Sequence, residues 1–263
     1  NYFIKAFDGG GIKYRKIKTK TLDRLRPHYM GGRCEAFFIG NINRGSADAP
    51  GIHCIDYNSL YPSVMKDNKF PNPYYYYKVK SIKKVPKNAF YLATVVVKSD
   101  MQYPCIPRRY DNKLCFPNGT FVTYANSVEL EYFKTMGGDI LKYIGDILVY
   151  PYPCYPFSEY VDKIYNARLS TQEPFEKQIY KLLLNTLYGK FGTGKENSSI
   201  LKYTEYDKLK RKGESFTDPL LILNKEYVLT TKISKNYPFY TNYAWPIFCT
   251  AYTRVKLHKL ILQ

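Results

Sequence analysis

The chain has few of the residues that build structural metal sites or membrane spans. Its 263 residues include three histidines, one tryptophan and six cysteines, with no Cys-x-x-Cys pair and no histidine at zinc-finger spacing. This excludes a zinc-finger scaffold and predicts free thiols in a reducing compartment, with Cys54 and Cys249 in the core. The three histidines, His28, His53 and His258, form no ligand or catalytic spacing. No apolar run approaches eighteen residues, so no transmembrane helix is expected.

Acidic residues are the second shortage. Twenty-two Asp and Glu stand against forty Lys and Arg, which gives a formal net charge of +18. Such a charge suits a polyanionic partner, but a ribosomal or membrane-surface protein would carry it too. The 29 tyrosines and 15 phenylalanines offer stacking surfaces for bases, although AT-rich coding also produces tyrosine-rich chains. Composition therefore favours a nucleic-acid partner without identifying one.

The stretch from Pro174 to Gly192 predicts an amphipathic helix. Pro174 suits a first turn, and Gly189 suits a left-handed cap just past the end. At about 100° per residue, one arc of roughly 80° carries Lys177, Lys181, Asn185 and Tyr188. The opposite side, predicted to be buried, carries Phe175, Ile179, Leu182, Leu183, Thr186 and Leu187. Two lysines one turn apart repel each other, and a bound triphosphate would reverse the sign of that interaction.

A second segment places a carboxylate beside a helix start. The mostly apolar run from Ile52 to Asp56 predicts a buried strand, and Asn58 or Ser59 is predicted to cap a short helix with Pro62 in its first turn. A carboxylate is a hard oxygen ligand for a divalent metal, and free amides at a helix N-terminus bind phosphate oxygens. The segment therefore predicts chemistry on a magnesium nucleotide.

Four motifs together resemble the protein-primed branch of the family B DNA polymerases. Asp-x-x-Ser-Leu-Tyr-Pro at Asp56–Pro62 resembles motif A, and Lys-x-x-x-Asn-Thr-x-Tyr-Gly at Lys181–Gly189 resembles motif B. Tyr29–Arg33 resembles the Tyr-x-Gly-Gly motif of that branch, and Thr250–Arg254 resembles its Thr-x-x-[Gly/Ala]-Arg motif, with Thr253 in place of the small residue. The motifs follow the family's order along nearly the whole chain, and motifs A and B carry most of the specificity.

The resemblance implies a nucleotide and metal site. It implies that the Asp56 carboxylate and the Tyr57 carbonyl bind Mg²⁺ (two ions in an intact enzyme, with Mn²⁺ as an alternative), and that Tyr61 lies beneath the sugar and rejects a 2′-hydroxyl. Arg168 and Lys177 are candidate second phosphate ligands, although a solvated basic face would also explain them. The implied dNTP contacts are Ser59, Leu60, Tyr61, Arg168, Lys177, Lys181, Asn185 and Tyr188, the last against the base pair.

The resemblance also implies contacts to a DNA primer-template. Gly31 and Gly32 would let a template phosphate approach the backbone, or would form an ordinary turn. Thr250 and Arg254 lie one helical turn apart and would contact the primer or template backbone, unless Arg254 is only a surface residue. The implied DNA contacts are Tyr29, Gly31, Gly32, Arg33, Gly189, Lys190, Thr250 and Arg254.

The expected fold is α/β (α+β): the palm and fingers of a right-hand polymerase, with an antiparallel palm sheet and two inserted subregions. The first insertion would meet a terminal (priming) protein and the duplex, and the second is linked in the family to strand displacement and processivity. The predicted segments are 1–48 (entry segment with the Tyr-x-Gly-Gly-Arg motif), 49–66 (palm with motif A), 67–135 (first insertion), 136–157 (palm), 158–192 (fingers with motif B), 193–241 (second insertion) and 242–263 (palm helix).

The second metal carboxylate of the family comes from motif C, which lies roughly twenty residues beyond the Thr–Arg motif. The chain ends nine residues after Arg254 and contains no earlier Asp-x-Asp pair, so we expect an internal fragment that is inactive alone. The intact protein is expected to be a DNA-directed DNA polymerase that adds dNTPs with two metals. The alternatives are a non-catalytic DNA-binding or terminal-protein-docking remnant and, less consistent with Tyr61 and motif B, an RNA polymerase or reverse transcriptase. The branch suggests a mitochondrial linear plasmid or organellar genome, with a viral or cytoplasmic setting as the alternative and no membrane partner.

Overall fold

The computed structural model describes residues 15–40, 54–217, 220–222 and 226–263. The glycine-rich stretch 9–11, the polar loop 45–50, and Ile52 and His53 of the predicted motif A strand lie outside the described residues. The described chain is a mixed α/β structure with antiparallel sheets, which confirms the predicted fold class.

Seven α-helices lie in the described residues. They are α1 (Thr19–Leu25), α2 (Leu60–Asp67), α3 (Ser127–Thr135), α4 (Ser158–Ser170), α5 (Pro174–Phe191), α6 (Tyr203–Arg211) and α7 (Ala244–Ile261). Two 3₁₀ turns, Arg26–His28 and Ile82–Lys84, accompany them. No helix in the described ranges combines the length and the apolar character that crossing a bilayer requires.

The strands of the described residues pair in antiparallel fashion. They are β1 (Phe70–Pro71), β2 (Tyr77–Val79), β3 (Phe90–Ser99), β4 (Arg108–Tyr110), β5 (Lys113–Cys115), β6 (Gly119–Asn126), β7 (Asp139–Tyr150), β8 (Pro153–Cys154), β9 (Glu196–Lys202), β10 (Leu220–Ile222) and β11 (Tyr227–Ile233). The largest sheet has the order β2-β7-β3-β6, a smaller one has the order β10-β11-β9, and β1-β8 and β4-β5 are two-stranded.

The largest sheet crosses a predicted boundary. β3 and β6 come from the predicted first insertion, whereas β7 comes from the predicted palm, and β3 pairs with both of them. The division between residues 135 and 136 therefore falls inside one continuous sheet. Gly145, with φ +69°, lies in β7 where the register against β3 shifts, because a bulge needs a backbone conformation that glycine adopts without strain.

An aromatic core joins the helical pair to α7. The Trp245 ring is fully buried and lies 4.9 Å from the Phe191 ring and 5.3 Å from the Phe157 ring, both nearly edge-to-face. Edge-to-face pairs contribute about 0.5–1.5 kcal/mol each beyond their buried area. The Trp245 Nε1 also donates a hydrogen bond to the Pro71 carbonyl at 3.0 Å. The end of α5 is therefore fixed against the rest of the molecule.

The helical pair α4–α5 forms as predicted around residues 170–174, but α5 buries only part of the predicted face: Leu187 is buried as predicted, whereas most of the other predicted residues are exposed. Phe175, Ile179 and Leu182 are 73, 40 and 57 % exposed, and Thr186 is also exposed. The buried side chains are Leu184, Leu187 and Phe191. The helix packs against α7 and α4 along this adjacent stripe, so the sequence pattern marked an apolar face without showing which part of it meets the core.

Two other local predictions were wrong. Residues 54–57 form no strand, and Cys54 and Ile55 are exposed, the latter at 73 %. A strand needs a hydrogen-bonding partner, and the described residues provide none at this position. Cys54 is therefore not a core residue, whereas Cys249 is fully buried as predicted. All six cysteines are free thiols.

Candidate active site

One cleft gathers the residues predicted for nucleotide and metal binding. It has a volume of about 820 Å³ and lies between the turn that precedes α2 and the facing sides of α4 and α5. Of the predicted nucleotide and metal residues, all except Tyr188 line it. The full lining is Asp56, Tyr57, Asn58, Ser59, Leu60, Tyr61, Tyr165, Arg168, Leu169, Lys177, Lys181 and Asn185.

The start of α2 is shaped for an acceptor group. Ser59 occupies the N-cap position as predicted, but its φ of 56° and ψ of 47° are left-handed and its side chain makes no capping hydrogen bond. A non-glycine residue in this conformation costs on the order of 1–3 kcal/mol and is common at functional sites. Because no side chain caps the helix, the amides of Leu60 and Tyr61 lie at its positive end, where an anion is favoured.

The cleft carries unneutralised positive charge. Lys177 and Lys181 lie one turn apart on α5, and Arg168 lines the same cleft from α4. Within the described parts of the chain, none of these three side chains has a carboxylate within ion-pair distance, and neither does Asp56 have a basic partner. Like charges held close together without partners favour a polyanionic ligand that would neutralise them.

Tyr61 and Tyr188 form a stacked pair at the back of the cleft. Their ring centroids are 4.4 Å apart and the ring planes differ by 3°. Burial raises the pKa of the Tyr188 phenol well above its ordinary value, and a hydrogen bond with Tyr61 adds to this effect. The resemblance implied that Tyr188 packs against a base pair, whereas in the structure its ring packs against Tyr61.

The Tyr-Gly-Gly segment meets this stacked pair at the Tyr61 hydroxyl. A Cβ atom on Gly32 would lie 2.9 Å from the Tyr61 hydroxyl oxygen, whereas one on Gly31 would meet open space. Tyr29 lies farther along, where a Cβ on Gly192 would come within 2.7 Å of its ring. Burial raises the pKa of Tyr29 to about 12. The two glycines are therefore not equivalent, since only Gly32 supports a cleft residue.

The end of α5 differs from the prediction. Gly189 is not a left-handed cap: the helix continues through Lys190 to Phe191, and Gly192 stands at the C-cap with φ −87°. A side chain at Gly189 would meet no atom within 4 Å, so this position leaves room for a neighbour. The Lys190 ammonium lies 5.6 Å from the centre of the Tyr240 ring.

The Thr–Arg motif is buried, so neither Thr250 nor Arg254 is accessible in this structure for the DNA-backbone contact that the resemblance implies, and Arg254 is not a surface residue either. The side chain of Arg254 is 2 % exposed, and its Nε donates to the Glu129 carboxylate at 2.7 Å. Its Nη1 donates to the carbonyls of Met30 and Gly31. The Thr250 hydroxyl donates back to Pro246 and Ile247 within α7. We call Met30, Gly31, Glu129 and Arg254 the buried junction.

Arg33 is also an interior residue rather than a free phosphate ligand. Its guanidinium lies 4.2 Å from the centre of the Phe116 ring, and its Nε donates to Glu35 at 2.9 Å. Two residues near these motifs were missed by the sequence: Glu129, and Arg109, whose Nη2 donates to the Tyr29 carbonyl at 2.7 Å. The Asn126–Glu129 spacing does match a helix-capping pattern, but it gives no sign of Arg254.

The residues present fit one part of a divalent-metal site. The described residues contain no cluster of three metal-binding side chains. Asp56 and Tyr57 still offer a carboxylate and a carbonyl in a cleft lined by phosphate-binding groups. Mg²⁺ usually takes one or two carboxylates together with substrate phosphates, so this donor set suits an ion shared with a bound nucleotide.

The fold is that of a DNA polymerase. Phi29 DNA polymerase complexed with primer-template DNA matches with a TM-score of 0.61 and 20 % identity, over 94 % of this chain and 40 % of that one. The chain belongs to the family of DNA polymerase type B, organellar and viral, whose model matches residues 6–259.

Named relatives agree with this assignment. A probable DNA polymerase of Neurospora intermedia is 30 % identical over 234 residues, covering 83 % of this chain and 22 % of that protein. The DNA polymerase of Streptococcus phage Cp-1 is 27 % identical over 212 residues, covering 72 % of this chain and 36 % of that protein. The chain therefore spans about a fifth to a third of the length of these relatives.

Proposed function

We propose that the complete gene product is a DNA-directed DNA polymerase that adds dNTPs to a primer on a DNA template. The observation that carries the proposal is the cleft, which brings Asp56, the open amide end of α2 and the basic face of α5 together around one volume. Family membership supports the same reaction class. The substrate assignment follows from the charges, because a triphosphate complements three cations that have no other described partner.

Different cleft residues bind different parts of the nucleotide. Lys177, Lys181 and Arg168 bind the triphosphate oxygens, and the amides of Ser59 to Tyr61 bind the β and γ phosphates. Asp56 and the Tyr57 carbonyl would hold Mg²⁺, which when bound supplies charge neutralisation on the phosphates and lowers the pKa of an oxygen nucleophile. Asn185 faces the same volume and contacts the nucleotide. All of these groups line one volume in the absence of substrate, so their charges and dipoles converge on the place where the triphosphate would lie.

Tyr61 is proposed to select the sugar. Its ring lines the cleft and is held from behind by Tyr188 at 4.4 Å, so it cannot retreat without unstacking. A 2′-hydroxyl directed at this ring would clash, which is discrimination by a repulsive element. The enzyme is therefore proposed to use dNTPs and to reject rNTPs.

Initiation from a terminal protein and replication of an organellar, plasmid or viral genome are the finer parts of the proposal. The family includes organellar and viral polymerases, and relatives occur in fungi and in phages. Residues 67–135 and 193–241 are the proposed contact regions for a priming protein and for the DNA, as the motif resemblance implies. Their structure includes the two-stranded sheet β4–β5 and the small sheet β10-β11-β9.

Primer extension with the complete gene product tests the proposal. We expect template-directed extension of a labelled primer with dNTPs and Mg²⁺, and little extension with rNTPs. DNA binding without extension would instead indicate a non-catalytic DNA-binding protein. Capture of a priming protein by residues 67–135 in the absence of DNA, again without extension, would indicate a docking module.

A further inference from the structure

A fully buried ion pair lies behind the cleft, and the proposed reaction does not use it. The side chains of Glu129 and Arg254 are each 2 % exposed, and they meet at 2.7 Å across 125 positions of sequence. A buried pair loses most of its Coulombic gain to desolvation, so stability alone explains it poorly. The informative question is which groups the pair holds in place.

Glu129 is itself held on both carboxylate oxygens. Its Oε1 accepts from Arg254, and its Oε2 accepts from Asn126 Nδ2 at 2.5 Å. The Asn126 side chain also accepts from the Glu129 backbone amide at 3.1 Å and caps α3. The carboxylate is therefore fixed relative to the helix, and it fixes the guanidinium in turn.

Arg254 in turn holds the backbone of the Tyr-Gly-Gly segment. Its Nη1 donates to two successive carbonyls, those of Met30 at 2.9 Å and Gly31 at 2.5 Å. Both bonds grip backbone rather than side chain, so they locate the chain where it enters Gly32. No other side chain in the described residues donates to these two carbonyls.

Gly32 is the next residue along the chain, and its Cα lies against the Tyr61 hydroxyl. The space for a Cβ at Gly32 is occupied by the Tyr61 hydroxyl, 2.9 Å from the ideal position. Tyr188 stacks on a face of the Tyr61 ring, with the two ring centroids 4.4 Å apart. The tyrosine is therefore in contact with an aromatic ring at its face and with a backbone segment at its hydroxyl, and the buried pair holds that segment by its carbonyls.

We propose that Glu129 is a positioning residue for Tyr61: through Arg254 it fixes the Gly31–Gly32 backbone, and through that backbone it fixes the ring that selects the sugar. The inference rests on the proposed function, since it assumes that Tyr61 faces the sugar of a bound nucleotide. Glu129 touches neither substrate nor metal, and it acts only through the residues between.

The test is Glu129→Gln in the complete gene product, with Glu131→Gln as the matched control. Glu131 lies on the same helix, is exposed and has no ion pair in the described structure, so it removes the same charge without touching Arg254. We expect the ratio of kcat/KM for dNTP over rNTP to fall roughly tenfold or more in Glu129→Gln, since small misplacements of a contact group have large kinetic effects. The control ratio should equal that of the wild type.

A second readout needs no catalysis. Nitration of Tyr61, followed by peptide mass spectrometry, should be faster in Glu129→Gln than in either the wild type or Glu131→Gln. If the wild-type protein adds no nucleotide, the proposed function fails, but this nitration difference still tests the positioning role. Unchanged discrimination together with unchanged nitration would overturn that role.

Gly32→Ala provides an independent route to the same contact. The added methyl group must displace the Tyr61 hydroxyl, so discrimination should fall here too, and the double variant with Glu129→Gln should lose little more than the larger single effect. Additive losses would show two separate causes and overturn the proposal. If Glu129→Gln does not fold, Gly32→Ala decides alone, and wild-type discrimination with wild-type nitration in that variant would contradict the proposed chain of contacts.

Discussion

The cleft and the buried junction use similar residues in opposite ways. In the cleft, Lys177, Lys181 and Asp56 have no ion-pair partner among the described residues and line about 820 Å³ of open volume. In the junction, Arg254 and Glu129 are almost inaccessible and are bonded to each other, and Arg254 also donates to the backbone carbonyls of Met30 and Gly31. Unpaired charge at a surface is available to a ligand, whereas paired charge in the interior is committed to structure. A basic residue in a sequence motif therefore does not by itself identify a ligand contact.

The largest test of this difference is Asp56→Asn in the cleft, with Asp67→Asn as control. Asp67 ends α2, is exposed and lies outside the cleft, so the two variants remove the same charge from opposite ends of one short segment. We expect Asp56→Asn to lower the rate of nucleotide addition by roughly 10³-fold or more, since it removes a metal-binding carboxylate, with DNA affinity and unfolding temperature unchanged. Turnover by Asp56→Asn close to that of Asp67→Asn would exclude the metal role.

A pH titration of stability tests a titratable group in the interior, close in sequence to the buried junction. His28 precedes the junction, its Nδ1 is enclosed without a hydrogen-bond partner among the described residues, and burial lowers its pKa to about 4. Because the unfolded chain binds the proton first, the contribution to the free energy of unfolding is complete above about pH 6.5 and is lost as the pH falls towards about 4. The loss should be about 3 kcal/mol.

His28→Gln isolates that contribution. Urea unfolding should show that the wild type loses about 3 kcal/mol more stability than the variant as the pH falls from 7 to 4. Burial also lowers the pKa of His258, so the variant should still lose some stability from that group as the pH falls. Parallel curves for the two proteins would mean that His28 does not titrate in this range.

The smallest expected effect belongs to Lys181→Met, compared with Lys163→Met. Lys163 lies exposed on α4 and does not line the cleft, so it matches the charge change within the same helical pair. Charge-assisted hydrogen bonds contribute about 1.5–3 kcal/mol, so dNTP affinity should fall roughly tenfold or more in Lys181→Met. Affinity for the deoxynucleoside without phosphates should not change. An equal loss for nucleoside and triphosphate, measured by calorimetry, would place Lys181 away from the phosphates.

The sequence predicted the cleft better than it predicted the core. Asp56, Lys181 and Asn185 belong to short motifs in which the spacing alone places the polar groups on one turn or one helix face, and the structure brings them together. Arg254 was predicted to contact the DNA backbone, with a surface residue as the alternative, because its partner Glu129 lies 125 positions away and no local pattern links them. The exposed Ile55 shows the same limit, since whether an apolar run becomes a buried strand depends on a partner strand elsewhere.

The outward-facing apolar stripe of α5 has a consequence for handling the protein in solution. The exposed side chains of Phe175, Ile179 and Leu182 form an apolar ridge on the helix surface. The net charge of +18 makes the molecules repel one another. Raising the ionic strength shortens the range of that repulsion to about 8 Å at 0.15 M and leaves the ridge unchanged. Self-association should therefore increase with salt, whereas binding to polyanions should weaken. High-salt buffers that remove bound nucleic acid during purification are thus also those in which the protein should aggregate most readily.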